Sequence, residues 1–403
     1  MKLIMNLLLI TIFLATLSCR KSNEEFGLTP TPTPASNDPL VWSYSSEIKG
    51  LGSNNHIYKN TIIQGARDEN YKFHVIALTL DSGKLAWQAG PFNMHIPIGY
   101  SSSLLSDYHL CFLRRNKLLV LHAETGDVIW DITLPKPITN GMTEKDKKLY
   151  ISTSFENGVS DIYKFDLYSG DLATVVEVTS EQMGGLDPYL SAPSYWKHPN
   201  GDEILVFGSR GQYSTNLSRG DKFAYNMTAD TLLWYVRGAD KTSVSTAYPH
   251  IHNNSAIFYG LRHVERINLL DGSVIWTHAR HASDAFSAYR TANIVVQDNI
   301  VIAKPDYFYT YGIDIETGEE LWHLSNSAAS PYAIRVGLGK LWFGANGINC
   351  IDIKSGRQLL LRWRYRHSSS WINPIAIDEE TGYIYTIVSG IIYCFDSKVL
   401  ISQ

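Results

Sequence analysis

The chain of 403 residues lacks most of the local patterns from which catalytic sites are built. Its 4 cysteines are scattered, with no C-x-x-C and no C-x-x-C-H, which excludes a thioredoxin-like redox pair and covalent haem attachment. No G-x-S-x-G, P-loop or H-E-x-x-H occurs. Positive charge is not in excess: 35 Lys and Arg stand against 39 Asp and Glu, a net charge of −4, so nucleic acid is not expected as a partner. Long apolar runs are missing after residue 17. The one at the start, Leu3 to Leu17, is too short and wrongly flanked for a spanning helix and reads as the apolar region of a signal peptide.

What is present is a repeated phrase. VIALTLDSGKLAWQ (75–88), LVLHAETGDVIWD (119–131), ERINLLDGSVIWTH (265–278) and YGIDIETGEELWHL (311–324) each read as an alternating apolar strand, a tight turn and a second strand opened by Trp. Aligned on the turn glycine, the copies are Gly83, Gly126, Gly170, Gly272, Gly318 and Gly356, with Asp230 at the glycine position of AYNMTADTLLWY. The turn requires a residue at positive φ, which Gly adopts freely and Asp tolerates. The tryptophans are Trp87, Trp130, Trp234, Trp276 and Trp322, while Thr174 and Leu360 take their place in two copies. A large ring on an outer strand is expected to fill the gap between neighbouring sheets and to find an acceptor for its indole N–H.

A period of about forty residues with one long interval, Gly170 to Asp230, predicts an all-β propeller of four-stranded antiparallel blades. Small residues cluster upstream of each hairpin, at Ser101–Ser103, Ser191–Ala192, 243–247, 287–288, 328–330 and 368–370, as crowding near a propeller axis would require. Seven hairpins give seven blades, and 383–397 supplies a further strand pair. Trp42, in LVWSY, resembles the Trp strand without its partner, so eight blades closed by the Trp42 segment are expected, with seven blades as the alternative; KVLIS (398–402) competes for the closing place. The domain expected is 40–403.

The [DE]-x-G-x-x-x-W phrase after an alternating strand resembles the repeat of the pyrroloquinoline-quinone-like propeller family. That family includes quinoprotein dehydrogenases, the propeller lipoprotein of the outer-membrane β-barrel assembly machinery, and binding modules, so the fold alone does not choose a function. Quinone-using relatives carry a vicinal cysteine pair, which this chain lacks. Cys111, Cys350 and Cys394 are isolated, the last two at equivalent places of neighbouring repeats; small buried apolar roles suit them. The turn aspartates Asp81, Asp271, Asp352 and Asp396 are expected to bond their own backbone, and His250 and His252 form an H-x-H pair, a weak metal signal without a third ligand. No metal and no cofactor are expected, and the chain reads as a non-enzyme, a quinone-dependent dehydrogenase being the third reading.

Residues 1–18 are expected to be removed as a lipoprotein signal peptide. Ser18-Cys19 resembles the end of a lipobox, with Thr16 where an aliphatic residue is common, so Cys19 is the expected lipidation site and an ordinary secretory peptide the alternative. Residues 19–39 contain Thr-Pro repeats and read as an extended tether, giving a domain anchored to the outer membrane through lipid. Glu24 and Glu25 resemble an acidic surface-export signal, whereas Arg20-Lys21 leaves the periplasmic face open.

Two segments are candidates for partner binding. The long interval contains 181–202 and 209–220, where Tyr189, Tyr195, Trp196, Arg210 and Tyr213 supply aromatics and Arg of the kind that dominates interfaces; packing on the neighbouring blade is the alternative. In LRWRYRHSSSW (361–371), Arg362, Arg364 and Arg366 share one face of a strand, either a patch for an acidic partner or a charge-blunted edge. The expected function is a non-catalytic interaction scaffold of an envelope protein complex, similar to an outer-membrane assembly factor. A cell-surface module for glycan or peptide is the alternative.

Overall fold

The computed structural model describes residues 38–45, 55–94, 102–212, 218–238, 248–260, 263–279, 294–304, 309–325, 334–344, 347–363, 375–388 and 390–402; for Ser102, Thr139, Asn140, 210–212, 218–219 and 361–362 this concerns the backbone only. Alternating apolar strands that are sticky on both faces need sheets stacked on either side, and a ring of sheets supplies them without open ends. The chain forms eight antiparallel sheets, seven of four strands and one of five. In chain order the blades span 56–92, 102–133, 138–179, 187–236, 250–279, 294–325, 335–363 and 376–396.

The eighth blade borrows its outer strand, Leu40–Ser45, which pairs antiparallel with Ile391–Asp396 so that Trp42 faces Cys394. The eight-bladed reading and the closure by the Trp42 segment are therefore what the fold has. KVLIS does not compete: Ser397–Ile401 is a short helix, capped by the Asp396 side chain, which accepts from the N–H groups of Lys398 and Val399. Leu400 of this helix is fully buried beside Leu40 and Phe395.

Eight apolar clusters hold the ring, one at each blade junction. Trp42, Ile62, Ile76 and Tyr385 join the eighth blade to the first, and Ile257, Trp276, Val301 and Tyr311 join the fifth to the sixth. Cys111, Cys350 and Cys394 are buried and free. Cys350 lies in the layer between blades seven and eight and Cys394 in the layer between eight and one, so their equivalent sequence positions put them on the corresponding faces of successive blades, in separate layers. Burial pushes the Cys350 thiol up to about 12, far from thiolate chemistry.

The repeated Trp and Gly belong to different blades. Each ring lies on the turn glycine of the blade that follows: Trp42 on Gly83, Trp87 on Gly126, Trp130 on Gly170, Trp234 on Gly272, Trp276 on Gly318 and Trp322 on Gly356. In five of these six the indole N–H also donates to the carbonyl three residues before the glycine, as Trp130 does to Leu167 at 2.9 Å and Trp276 to Ile315 at 2.8 Å. Trp87 has the same ring position, but its buried Nε1 finds no acceptor. A β-bulge directly before the Trp aims it: Ala77 faces Trp87 while Leu78 faces Leu85, and the same skip precedes Trp42.

The tight turn is a four-residue one. Four residues separate the paired Thr79 and Lys84, and Gly83 N–H closes back on the Thr79 carbonyl at 2.9 Å. An acceptor side chain four residues before the glycine supports the turn: Asp166 accepts from the N–H groups of Tyr168 and Ser169, and Asp314 from those of Glu316 and Thr317. Of the small-residue clusters, Ser102 and Ser103 lie on a first strand, Ser191–Ala192 lie just before one, and 243–247, 287–288, 328–330 and 368–370 lie outside the described residues.

Candidate interaction surface

The long interval is spent on the fourth blade. Its central strands, Glu203–Gln212 and Ser218–Asn226, are the longest of the described strands, and the hairpin they form extends past the first strand, Ser194–Lys197. The extra length is covered by an additional strand, Asp187–Leu190, whose Tyr189 pairs with Arg210. Antiparallel geometry puts the Gln212 and Ser218 ends of these two strands at the end of the blade opposite its Trp-bearing turn.

Much of the insertion is core rather than loose loop. Met183, Leu186 and Leu190 are buried against Tyr150, Ile162 and Phe207. The bend between the two edge strands is pinned by Ser152, which donates to the Ser191 carbonyl at 2.6 Å, and by Ser191 Oγ, which accepts from Gly208 N–H at 2.9 Å. Ser160 on the third blade donates to the Pro188 carbonyl.

The candidate side chains separate accordingly. Trp196 is only 5% exposed and sits among Ile204, Val206 and Phe258 between blades four and five, so it is a packing residue and not a surface anchor. Its strand alternates, and the Trp196 side faces the following blade. Tyr195 is half-buried on the other side, 6.5 Å from the Tyr150 ring with Lys145 Nζ 5.6 Å above its own ring, and burial first, then the nearby Glu203, pushes its hydroxyl up to about 12. Tyr189 is half-buried near Phe155, ring centroids 6.2 Å apart. Arg210 lies on the extended strand opposite both Tyr189 and Gly220. Arg362 lies on the outer strand of the seventh blade, Gln358–Trp363, three blades from Arg210. Cys19, Tyr213, Arg364 and Arg366 lie outside the described residues.

A polar cluster that the sequence did not point to braces the extended blade. Lys222 is 4% exposed and pairs with Glu265 of the fifth blade at 2.5 Å, with His263 Nε2 3.2 Å from the same carboxylate. Burial alone would raise the Glu265 pKa, but the contacts to His263 and Lys222 outweigh it and hold the carboxyl at about 2. Next to it, the fully buried Asp221 accepts from Tyr235 Oη and Gly238 N–H, each at 2.9 Å. Adjacent Asp221-Lys222 on a long strand was the available signal, though each residue's partner lies 14 or more positions away in sequence.

The H-x-H pair occupies the first strand of the fifth blade. His250 and His252 are both half-buried, and His252 lies 3.8 Å from Glu316. Among the described residues no three His, Cys, Asp or Glu side chains are placed to hold a metal ion. Among them, too, no helix is long and apolar enough to cross a membrane.

The architecture defines the class: an eight-bladed propeller with Trp-on-Gly contacts at six of its blade junctions and one enlarged blade. The chain belongs to the family described as outer membrane protein assembly factor BamB, whose model matches residues 71–222 and again 196–398. No curated protein matches the sequence. Among solved structures, the chain is similar to BamB from Moraxella catarrhalis, with 14% identity over 89% of this chain and 97% of that one and a TM-score of 0.59. It is also similar to the computationally designed Ika8 protein (15% identity, 89% and 99% covered, TM-score 0.65) and to Sqt1 of Saccharomyces cerevisiae (11% identity, 89% and 99% covered, TM-score 0.65). At these identities the structural likeness is one of fold.

Proposed function

We propose that this protein is a non-catalytic scaffold of the bacterial envelope, anchored by lipid at Cys19 to the outer membrane, that docks a protein complex assembling outer-membrane proteins. The observation that carries the reading is the family match, which extends from residue 71 to residue 398 and so takes in nearly every blade. Loops and hairpins on a rigid scaffold are where recognition is usually placed, and the fourth blade is the one described sheet with a fifth strand. Its extended hairpin, with Tyr189 and Arg210 side by side on adjacent strands, is the docking element we assign. The rigid support beneath it, from Ser152, Ser160 and the Lys222–Glu265 pair, suits a surface that must keep its shape on binding.

The test is to cross-link cells gently, purify the lipidated protein from native membranes and identify what accompanies it. Recovery of the outer-membrane assembly complex, reduced at least tenfold by combined Tyr189→Ser and Arg210→Ser changes in a folded protein, supports the proposal. Recovery of glycan-handling proteins or a nutrient transporter instead would replace it with a surface-binding role. Cys19→Ala should move the protein from the membrane to the soluble fraction; unchanged membrane association would remove the lipid anchor from the proposal.

A further inference from the structure

On the second and third blades, two tyrosines stand where most other blades have polar or small residues. The second residue of the inner hairpin is Asn60, Lys147, Asn254, Asn299 or Gly339 in five blades, and Tyr108 in the second. Two places before the turn glycine stand Asp81, Glu124, Leu270, Glu316 and Lys354, but Tyr168 in the third blade. Within each of these two blades hairpin and turn touch: Ala123 N–H donates to the Tyr108 carbonyl at 2.7 Å, and Leu167 N–H to the Lys147 carbonyl at 2.9 Å. Trp130 of the second blade donates to the Leu167 carbonyl at 2.9 Å, so the Tyr168 turn is held against that blade.

The two tyrosines are joined across the blade junction by His109. The Tyr108 ring stacks on His109 at 4.2 Å and on His122 at 4.9 Å, and Tyr168 meets His109 edge-on at 5.3 Å. His109 is 1% exposed and backs the cluster; Tyr108 and His122 are half-buried, and Tyr168 is 56% exposed. The polar tips of these outer rings are open. Tyr108 Oη and Tyr168 Oη have no hydrogen-bond partner among the described residues, and His122 Nδ1 accepts from Glu124 N–H at 3.3 Å, which leaves the proton of the neutral ring on Nε2. The charges that border the rings are paired, Lys147 with Asp107 at 2.5 Å and Lys59 with Glu124 at 2.6 Å. Such a surface offers an apolar ring face edged by neutral hydrogen-bonding groups, and its bordering charges cancel.

We propose that this junction binds a neutral pyranose ring, one face of the sugar lying on Tyr168 and its hydroxyls meeting Tyr108 Oη, His122 Nε2 and the Lys147–Asp107 pair. A pyranose has the matching two-sidedness: C–H groups cover its face, and the hydroxyls at its rim both donate and accept. An acidic sugar would gain nothing from lysines that already hold carboxylates. The site lies on blades two and three, apart from the docking element on the fourth, and stands whether or not that element holds a partner.

The probes are the methyl glycosides of glucose, galactose, mannose and N-acetylglucosamine, titrated into the full chain and followed by saturation-transfer NMR of the sugar and by the ring signals of Tyr108 and His122. At least one should bind saturably and shift those rings. Tyr168→Ala should weaken that binding about tenfold, the worth of one stacked ring. Tyr168→Phe, which keeps the face and loses one hydroxyl, should stay within about threefold of the parent. Methyl glucuronide should bind no tighter than methyl glucoside. No saturable binding by any of the four, unchanged binding in a folded Tyr168→Ala protein, or tighter binding of the glucuronide would overturn the proposal. If Tyr168→Ala does not fold, Tyr168→Glu takes its place, since blades two and six carry Glu at this position and fold with it.

Discussion

Trp42 occupies the space that a side chain on Gly83 would need: a Cβ there would lie 2.5 Å from ring atom Cε3. The same indole donates to the Leu80 carbonyl at 2.8 Å, so the strand that closes the ring also clasps the blade after it. Gly83 thus answers two demands at once, a φ of +64° and a bare face for the ring. Trp42→Ala should lower unfolding stability by about 3–5 kcal/mol, the usual cost of emptying a buried Trp site. Gly83→Ala should cost clearly more than Gly382→Ala, because Gly382 shares the positive φ but meets only Ser397 Oγ, at 3.6 Å. Urea unfolding of the three variants checks this; equal costs for the two glycine changes would remove the steric role of the ring.

Two of the three exceptions to the repeat fall on one junction. Thr174 replaces the Trp of the third blade, and Asp230 replaces the Gly of the fourth, at a φ of 53°. With no ring to receive, that turn can carry a side chain, and Asp230 accepts a hydrogen bond from Tyr225 at 2.5 Å. Thr174→Trp alone should destabilise, and adding Asp230→Gly should recover more than the two single effects sum to, by about 1 kcal/mol. Strict additivity in a double-mutant cycle would mean that the two positions do not form a clasp site.

Glu265 gives the fold an acid-sensitive brace. Its folded pKa of about 2 lies below the ordinary value of 4.5, so the unfolded chain binds the proton more readily. Its stabilising contribution is complete above about pH 4.5 and falls away as pH drops toward 2. Glu265→Gln should therefore be less stable than the parent at pH 7, with the gap narrowing below 4.5. Thermal melts across that range test it, and a gap independent of pH would contradict the assignment.

His56 acts in the same direction by a different route. Burial, and then the charge of Arg335, lowers its pKa from 6.5 to about 3, so it is neutral in the fold while the unfolded chain takes up a proton. Stability should decline as pH falls from 6.5 toward 3, and His56→Gln should make that decline shallower. Identical slopes in the two proteins would show that His56 is not held neutral by the axis.

Much of this was legible in the chain. Gly83, Trp87 and their counterparts mark the turn and the outer strand of each blade because hairpin geometry and strand alternation act over a few residues, and local chemistry is written in local order. The lone LVWSY segment, a Trp strand without a turn, pointed to closure for the same reason. The acceptor four residues before each turn glycine was also there to be read, as Asp166, Asp314 and Asp352.

Other features depend on which blades become neighbours. Trp196 and Tyr195 are adjacent in sequence and look alike as surface aromatics, yet strand alternation sends one into the layer with blade five and the other toward blade three. Lys222 and Glu265 meet, and His56 feels the charge of Arg335, only because the ring closes, and their charges are read against burial that no single segment possesses. Short-range order sets strands, turns and the repeat; desolvation and the pairing of distant groups arise only when eight sheets converge on one axis, and there the protein's buried charges acquire their roles.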